Sequence, residues 1–154
     1  MTVIREKTVI KMRMEGDSKS HARTDVSGRG LTMTIDEPVE RGGTNLGMTP
    51  TETFAAALVG CTNVISHKIA HKNGINFDAL KIRLEVDFDR RGVTLAEEVD
   101  VPFPAMTLHV DVTTAANETQ IEQLRRELAM YCPIAKVIRM SGTDLKEIWA
   151  ITHP

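Results

Sequence analysis

The chain has 154 residues, a formal net charge of −2 and charges of both signs spread along its length, so it can bury the core of one domain but presents no basic field for nucleic acid or anionic lipid. Its opening, M-T-V-I-R-E-K, is charged too early for a secretory signal, and no stretch stays apolar long enough to span a bilayer, so a cytoplasmic protein is expected. Two cysteines occur, Cys61 and Cys132, and in a reducing compartment such a pair is more often chemical than structural.

Residues 8–14 alternate, with Ile10, Met12 and Met14 on one side and Lys11 and Arg13 on the other, which predicts a first strand. Gly16 and Asp17 read as a turn. His21 and Arg23 share a face of a weakly patterned segment, and Ser27-Gly28-Arg29-Gly30 turns the chain again. Leu31, Met33 and Ile35 alternate with Thr32 and Thr34, giving a third strand in a meander. The glycine-rich segment from Pro38 to Met48 reads as a loop. Thr49, Pro50 and Glu52 then carry the signals of a helix start: an N-cap, a proline at the first helical position and a carboxylate that completes a capping box. Lys72 and Gly74 mark its end. Thr53 to Ser66 holds no charge, and at 1.5 Å per residue the helix is roughly 35 Å long, which predicts a helix buried within protein. Phe54, Leu58, Cys61 and Ile65 follow at helical spacing and set the first thiol on an apolar stripe.

Beyond Gly74, Leu80, Ile82, Leu84, Val86 and Phe88 alternate with charged residues, and Met106, Leu108, Val110 and Val112 alternate with polar ones. Two half-buried strands paired as a long hairpin are expected, joined by an exposed connection from Arg90 to Ala105. Asn117 and Gln120 form a second capping-box pattern ahead of Ile121, Leu124 and Leu128. That helix should stop near Tyr131, because Pro133 disfavours helical geometry at the residue before it. A short helix from Pro133 to Met140 and a closing strand from Asp144 to Ile151 complete the order βββ-α-ββ-α-α-β. The fold class is α+β, a single domain over 1–154, with an antiparallel sheet around the long central helix. One small sheet cannot cover so apolar a helix on all sides, which favours a dimer.

Cys132 precedes Pro133 and occupies an N-cap position, where exposed amides and the helix dipole favour a thiolate. Cys61 lies mid-helix, gains nothing from its own helix dipole and needs a cation supplied by the fold. The plain alternatives are a small core residue at Cys61 and a helix-boundary residue at Cys132. Glu52 shares a helix with Cys61, but nine residues at about 100° each put the two side chains on opposite faces, and the capping box accounts for it. His67 and His71 have a spacing that can chelate a metal, yet Lys68 and Lys72 beside them read as a solvated last turn, so no metal is expected.

The run P-T-E-T-F-A-A-A-L-V-G-C-T from Pro50 to Thr62 resembles the first-cysteine motif of the OsmC/Ohr family. Tyr131-Cys132-Pro133-Ile134-Ala135-Lys136 resembles its second-cysteine C-P-[VI] motif, and D-E-P-V-E-R-G-G-T-N-L-G from Asp36 to Gly47 is similar to the loop that precedes its helix. The likeness runs from about Leu31 onward. It implies an intertwined homodimer with two sites at the interface, no cofactor, and thiol peroxidase activity that prefers organic hydroperoxides to hydrogen peroxide. In that scheme Cys61 attacks the peroxide and becomes a sulfenic acid, Cys132 resolves it as an intramolecular disulfide, and a dithiol reductant reopens the bond. The family's peroxidases use an arginine from an early strand, paired with a glutamate, to activate the first cysteine; Arg23 is the candidate here and Glu52 its carboxylate. The chain departs from the organic hydroperoxide resistance branch, in which glutamate directly follows the helix-opening proline. Thr51 stands there and Glu52 comes one residue later, a turn of about 100° around the helix, which is closer to the generic OsmC-like branch. Two other classes stay open: a binding module whose cleft holds an apolar or thiol-containing ligand, and a redox sensor that passes its oxidation state to a partner.

Overall fold

The computed structural model describes residues 8–154, in two compact units, Met1–Thr53 and Phe54–Pro154. The first unit carries a three-stranded antiparallel sheet of β1 (Glu15–Ser18), β2 (Arg23–Gly28) and β3 (Leu31–Asp36), in that spatial order. The β2–β3 hairpin pairs Gly28 with Leu31. Its two turn residues, Arg29 and Gly30, have φ of 54° and 77°, the left-handed pair that matches the twist of the flanking strands.

The strand expected over residues 8–14 does not form, and Gly16 and Asp17, read as a turn, lie inside β1 instead. Alternation alone does not make a strand half-buried. Ile10, Met12 and Met14 are each more than 70% exposed, so among the described residues their shared side has no core to face. The segment from Pro38 to Met48 is a loop as expected, with a single 3-10 turn at Val39–Arg41.

Helix α1 (Pro50–Lys72) begins in the first unit and continues through the second. Its predicted capping box is present: Glu52 Oε2 accepts from the Thr49 amide at 2.9 Å, and Thr49 Oγ1 accepts from the Glu52 amide at 3.2 Å. Gly74 closes the helix with φ of 67°.

In the second unit β4 (Ala79–Val86), β5 (Ala105–Thr113) and β6 (Asp144–Thr152) form a sheet in that order. β4 and β5 are antiparallel, with Leu84 opposite Leu108. β6 runs parallel to β5, with Leu108 opposite Glu147, so the sheet is mixed where an antiparallel one was expected. A parallel partner needs a long crossover, and α2 (Glu118–Tyr131) followed by α3 (Pro133–Met140) supplies it. The α2 capping box predicted from Asn117 and Gln120 is formed on both sides.

The core lies on the helix side of this sheet. Met106, Leu108 and Val110 of β5 are buried against Leu58, Leu124, Leu128 and Ile138, each full burial worth about 1.5–3 kcal/mol. Phe103, in the long connection, stacks on Phe54 and on Phe88 with ring centroids 5.1 Å apart in both cases, so that connection is anchored and not wholly exposed. α1 buries Leu58, Thr62, Ser66, Ile69 and Ala70 but leaves Phe54 and Val64 exposed. The single chain therefore covers one side of a helix that was expected to be enclosed.

Candidate functional site: a paired-thiol centre

Two local features place the thiols. Cys61 sits halfway along α1, one turn after Leu58, whose complete burial fixes the rotation of the helix against the core. Cys132 is at once the last residue of α2's hydrogen-bonded run and the N-cap of α3. Its amide donates to Leu128 O at 2.9 Å and its carbonyl accepts from the Lys136 amide at 3.1 Å. Pro133 ends one helix and starts the next, since it has no amide to donate and its φ suits the first helical turn.

The two sulfurs meet. Cys132 Sγ lies 3.1 Å from Cys61 Sγ, and both thiols are free. Their surroundings differ sharply. Cys132 is 1% exposed within the core, whereas Cys61 is half-buried and packs at its edge.

Burial pushes the Cys132 thiol up to about 11. The Ala135 and Ile134 amides at the start of α3 pull the other way, and the Cys61 thiol adds to the rise. Neither amide makes a capping hydrogen bond to the side chain. The helix end favours a Cys132 thiolate, as expected, but desolvation outweighs it.

The other two predicted residues lie in the first unit, each with a partner. Arg23, on β2, holds Asp25 in a fork: Nη2 donates to Oδ1 and Oδ2 at 3.2 and 3.1 Å, and Nε donates to Oδ1 at 3.2 Å. Thr34 Oγ1 donates to the same carboxylate at 2.9 Å. The Thr34 hydroxyl first, and then the Arg23 guanidinium, hold Asp25 below the ordinary carboxylate range against the opposing effect of burial. Glu52 is engaged in the capping box.

Sequence reasoning passed over Asp25, although two residues along a strand share a face and Arg23 was already a candidate. It also passed over Glu147, on the inner side of β6, which accepts from Arg139 Nη2 at 2.6 Å and from the Trp149 indole at 3.2 Å. An acid in a strand of otherwise weak pattern gave no signal of that role.

The comparisons agree with this architecture. The family model described as OsmC-like protein matches residues 43–147. The structure of an OsmC-like protein from Mycoplasma pneumoniae superposes with a TM-score of 0.78 at 14% identity, covering 94% of this chain and 99% of that one. An organic hydroperoxide resistance protein OsmC from Legionella pneumophila gives 0.68 at 20% identity over 94% and 99% of the two chains. The organic hydroperoxide resistance protein OhrB of Bacillus subtilis gives 0.58 at 19% identity over 91% and 98%. At these identities the structural likeness speaks for the fold alone, and no curated protein matches the sequence. The fold is thus that of the OsmC-like and organic hydroperoxide resistance proteins. With the family model spanning more than half its length, the chain belongs to the OsmC-like protein family.

Proposed function

We propose that this protein is a two-cysteine, thiol-dependent hydroperoxide reductase that prefers organic hydroperoxides, with Cys61 peroxidatic and Cys132 resolving. The observation that carries the reading is the thiol pair: two free sulfurs 3.1 Å apart, one half-buried and one buried. An attacking sulfur must meet the substrate, whereas a resolving sulfur need only meet its partner. The Cys61 thiolate attacks the O–O bond, forming Cys61–SOH, and the departing alkoxide takes up a proton to leave as an alcohol. Cys132–SH then condenses with Cys61–SOH, giving the disulfide and one water. A dithiol reductant reopens that bond by exchange and is itself oxidised to a disulfide. The chemistry calls for no cofactor. Purified protein supplied with cumene hydroperoxide and a dithiol tests the reading. Sustained peroxide loss is expected; free, reactive thiols without loss of any hydroperoxide would instead favour a binding module or sensor.

The activating cation in this reading is Arg23, with Glu52 as a weaker contributor. Asp25 engages Nε and Nη2 of the guanidinium, and among the described residues Nη1 makes no hydrogen bond, which suits it to meet an anion. Arg23→Ala should raise the pH midpoint of Cys61 alkylation by about 1 unit and slow peroxide reduction. Glu52→Gln should move the midpoint less. An unchanged profile in Arg23→Ala would remove this residue from the mechanism.

The reading includes a homodimer. Among the described residues of the first unit, those classed as buried are Asp36 and Thr49, both polar, while Leu31, Met33 and Met48 are exposed. A three-stranded sheet without a buried apolar side chain needs a covering surface. The exposed side of α1 offers apolar area of the same kind, and closed symmetric pairs are the commonest assembly. Sedimentation at micromolar concentration should report twice the chain mass; a monomer would remove the interface from the reading.

A further inference from the structure

We infer that Cys132 has a second role, before any disulfide forms: its S–H donates a hydrogen bond that holds the Cys61 sulfur as a thiolate. The inference rests on the peroxidatic role proposed for Cys61 and says how that sulfur stays charged in a largely apolar setting.

Burial decides which sulfur donates. At 3.1 Å the two sulfurs are within hydrogen-bonding reach of each other. Cys132, 1% exposed and packed in the core, is the costlier place for a negative charge, and the half-buried Cys61 can share its charge with water. Burial, acting more strongly than the amides of Ala135 and Ile134, keeps the Cys132 proton in place, and Cys61 adds to that effect. The Cys132 backbone is held in place by hydrogen bonds to Leu128 on one side and Lys136 on the other. A hydrogen bond to the charged form of a group favours that form, so the Cys132 donor stabilises a thiolate at Cys61. The same proton has a destination after oxidation. When Cys132 sulfur attacks Cys61–SOH, the S–O bond breaks, the S–S bond forms, and the Cys132 proton leaves with the hydroxyl as water. No separate base is required.

The test follows Cys61 by peptide mass spectrometry during iodoacetamide labelling across pH in three full-length variants. Cys132→Ser keeps a hydroxyl donor, Cys132→Ala removes the donor, and Cys132→Val removes it while filling the space, which controls for a cavity at a buried site. All three lose the resolving sulfur, so disulfide formation does not enter. The Cys61 midpoint should stay near that of the unmodified protein in Cys132→Ser and rise by about 0.5–1 unit in Cys132→Ala and Cys132→Val. The rate at which Cys61 is oxidised by one equivalent of cumene hydroperoxide below the midpoint should fall about 3–10-fold in the same two variants. Equal midpoints in all three would overturn the donor role. Shifted midpoints with no oxidation of Cys61 in any variant would instead overturn the peroxidase reading while leaving the hydrogen bond standing.

Discussion

Serine at position 61 is expected to bring hydroperoxide consumption down to the uncatalysed background, a loss on the order of 10³-fold or more. A hydroxyl at this site stays protonated at neutral pH and cannot become the sulfenic acid on which the cycle depends. Cys132→Ser should behave differently. Cys61 can still react once, so the protein should consume about one equivalent of peroxide and stall, with an added oxygen on the Cys61 peptide. Excess peroxide should drive that sulfur on to the sulfinic acid, which a dithiol does not reduce. The pair of outcomes separates the roles of two sulfurs that lie 3.1 Å apart. If Cys132→Ser turned over at the rate of the unmodified protein, the intramolecular disulfide would have no part in the cycle. If Cys61→Ser kept its activity, the assignment of the attacking sulfur would be wrong.

Features that depend on neighbours in sequence were the ones legible in it. Thr49 with Glu52, and Asn117 with Gln120, are capping boxes whose atoms lie within one turn, and both formed as read. Pro133 set the boundary between α2 and α3 because its own ring imposes the geometry. The alternation in β4 and β5 could be trusted because a real core lies under Leu84 and Leu108. The same alternation at Ile10, Met12 and Met14 misled, since these side chains stay exposed among the described residues. The balance at Cys132 was illegible for a related reason. The helix end that favours a thiolate is written in the sequence, whereas the core that disfavours it is assembled from α1, α2, α3 and β5. The parallel pairing of β6 was equally hidden, because strand direction is set by the crossover and leaves the residue pattern unchanged. As for the site, the family motifs brought Cys61 and Cys132 to attention, and Asp25 emerged only with the β2–β3 register that sets it beside Thr34.

Asp36→Asn is expected to lower the melting temperature by about 5–10 °C at pH 7, the largest stability effect expected of a single polar change in the first unit. Asp36 is wholly buried at the end of β3, and its carboxylate is the hub of the loop that follows. Oδ1 accepts from the Glu37 amide at 2.9 Å; Oδ2 accepts from the amides of Thr44 and Leu46 at 3.1 and 3.0 Å and from Thr44 Oγ1 at 2.5 Å. An asparagine can present one oxygen, and its NH₂ would face donors, leaving them unpaired. The loop has no slack in which to rearrange. A Cβ on Gly43 would come within 1.7 Å of Glu37 O, and one on Gly47 within 2.1 Å of Thr34 O. The Asp36 amide donates to Met48 O at 3.1 Å, so the residue fastens both ends of the loop just before Thr49 caps α1. The Thr44 hydroxyl above all, helped by the three amides, holds the Asp36 carboxyl below its ordinary value of 3.8, against the effect of burial. A carboxyl whose folded pKa is depressed stabilises the fold fully above its unfolded value, and that contribution is lost as pH falls through the folded one. The gap in melting temperature between the natural protein and Asp36→Asn should therefore hold from pH 7 down to about 4 and narrow below it. Gly43→Ala should lower the melting temperature as well, with a gap that does not narrow in acid. A gap for Asp36→Asn that stayed constant to pH 2 would show that the charge of Asp36 does not hold the loop.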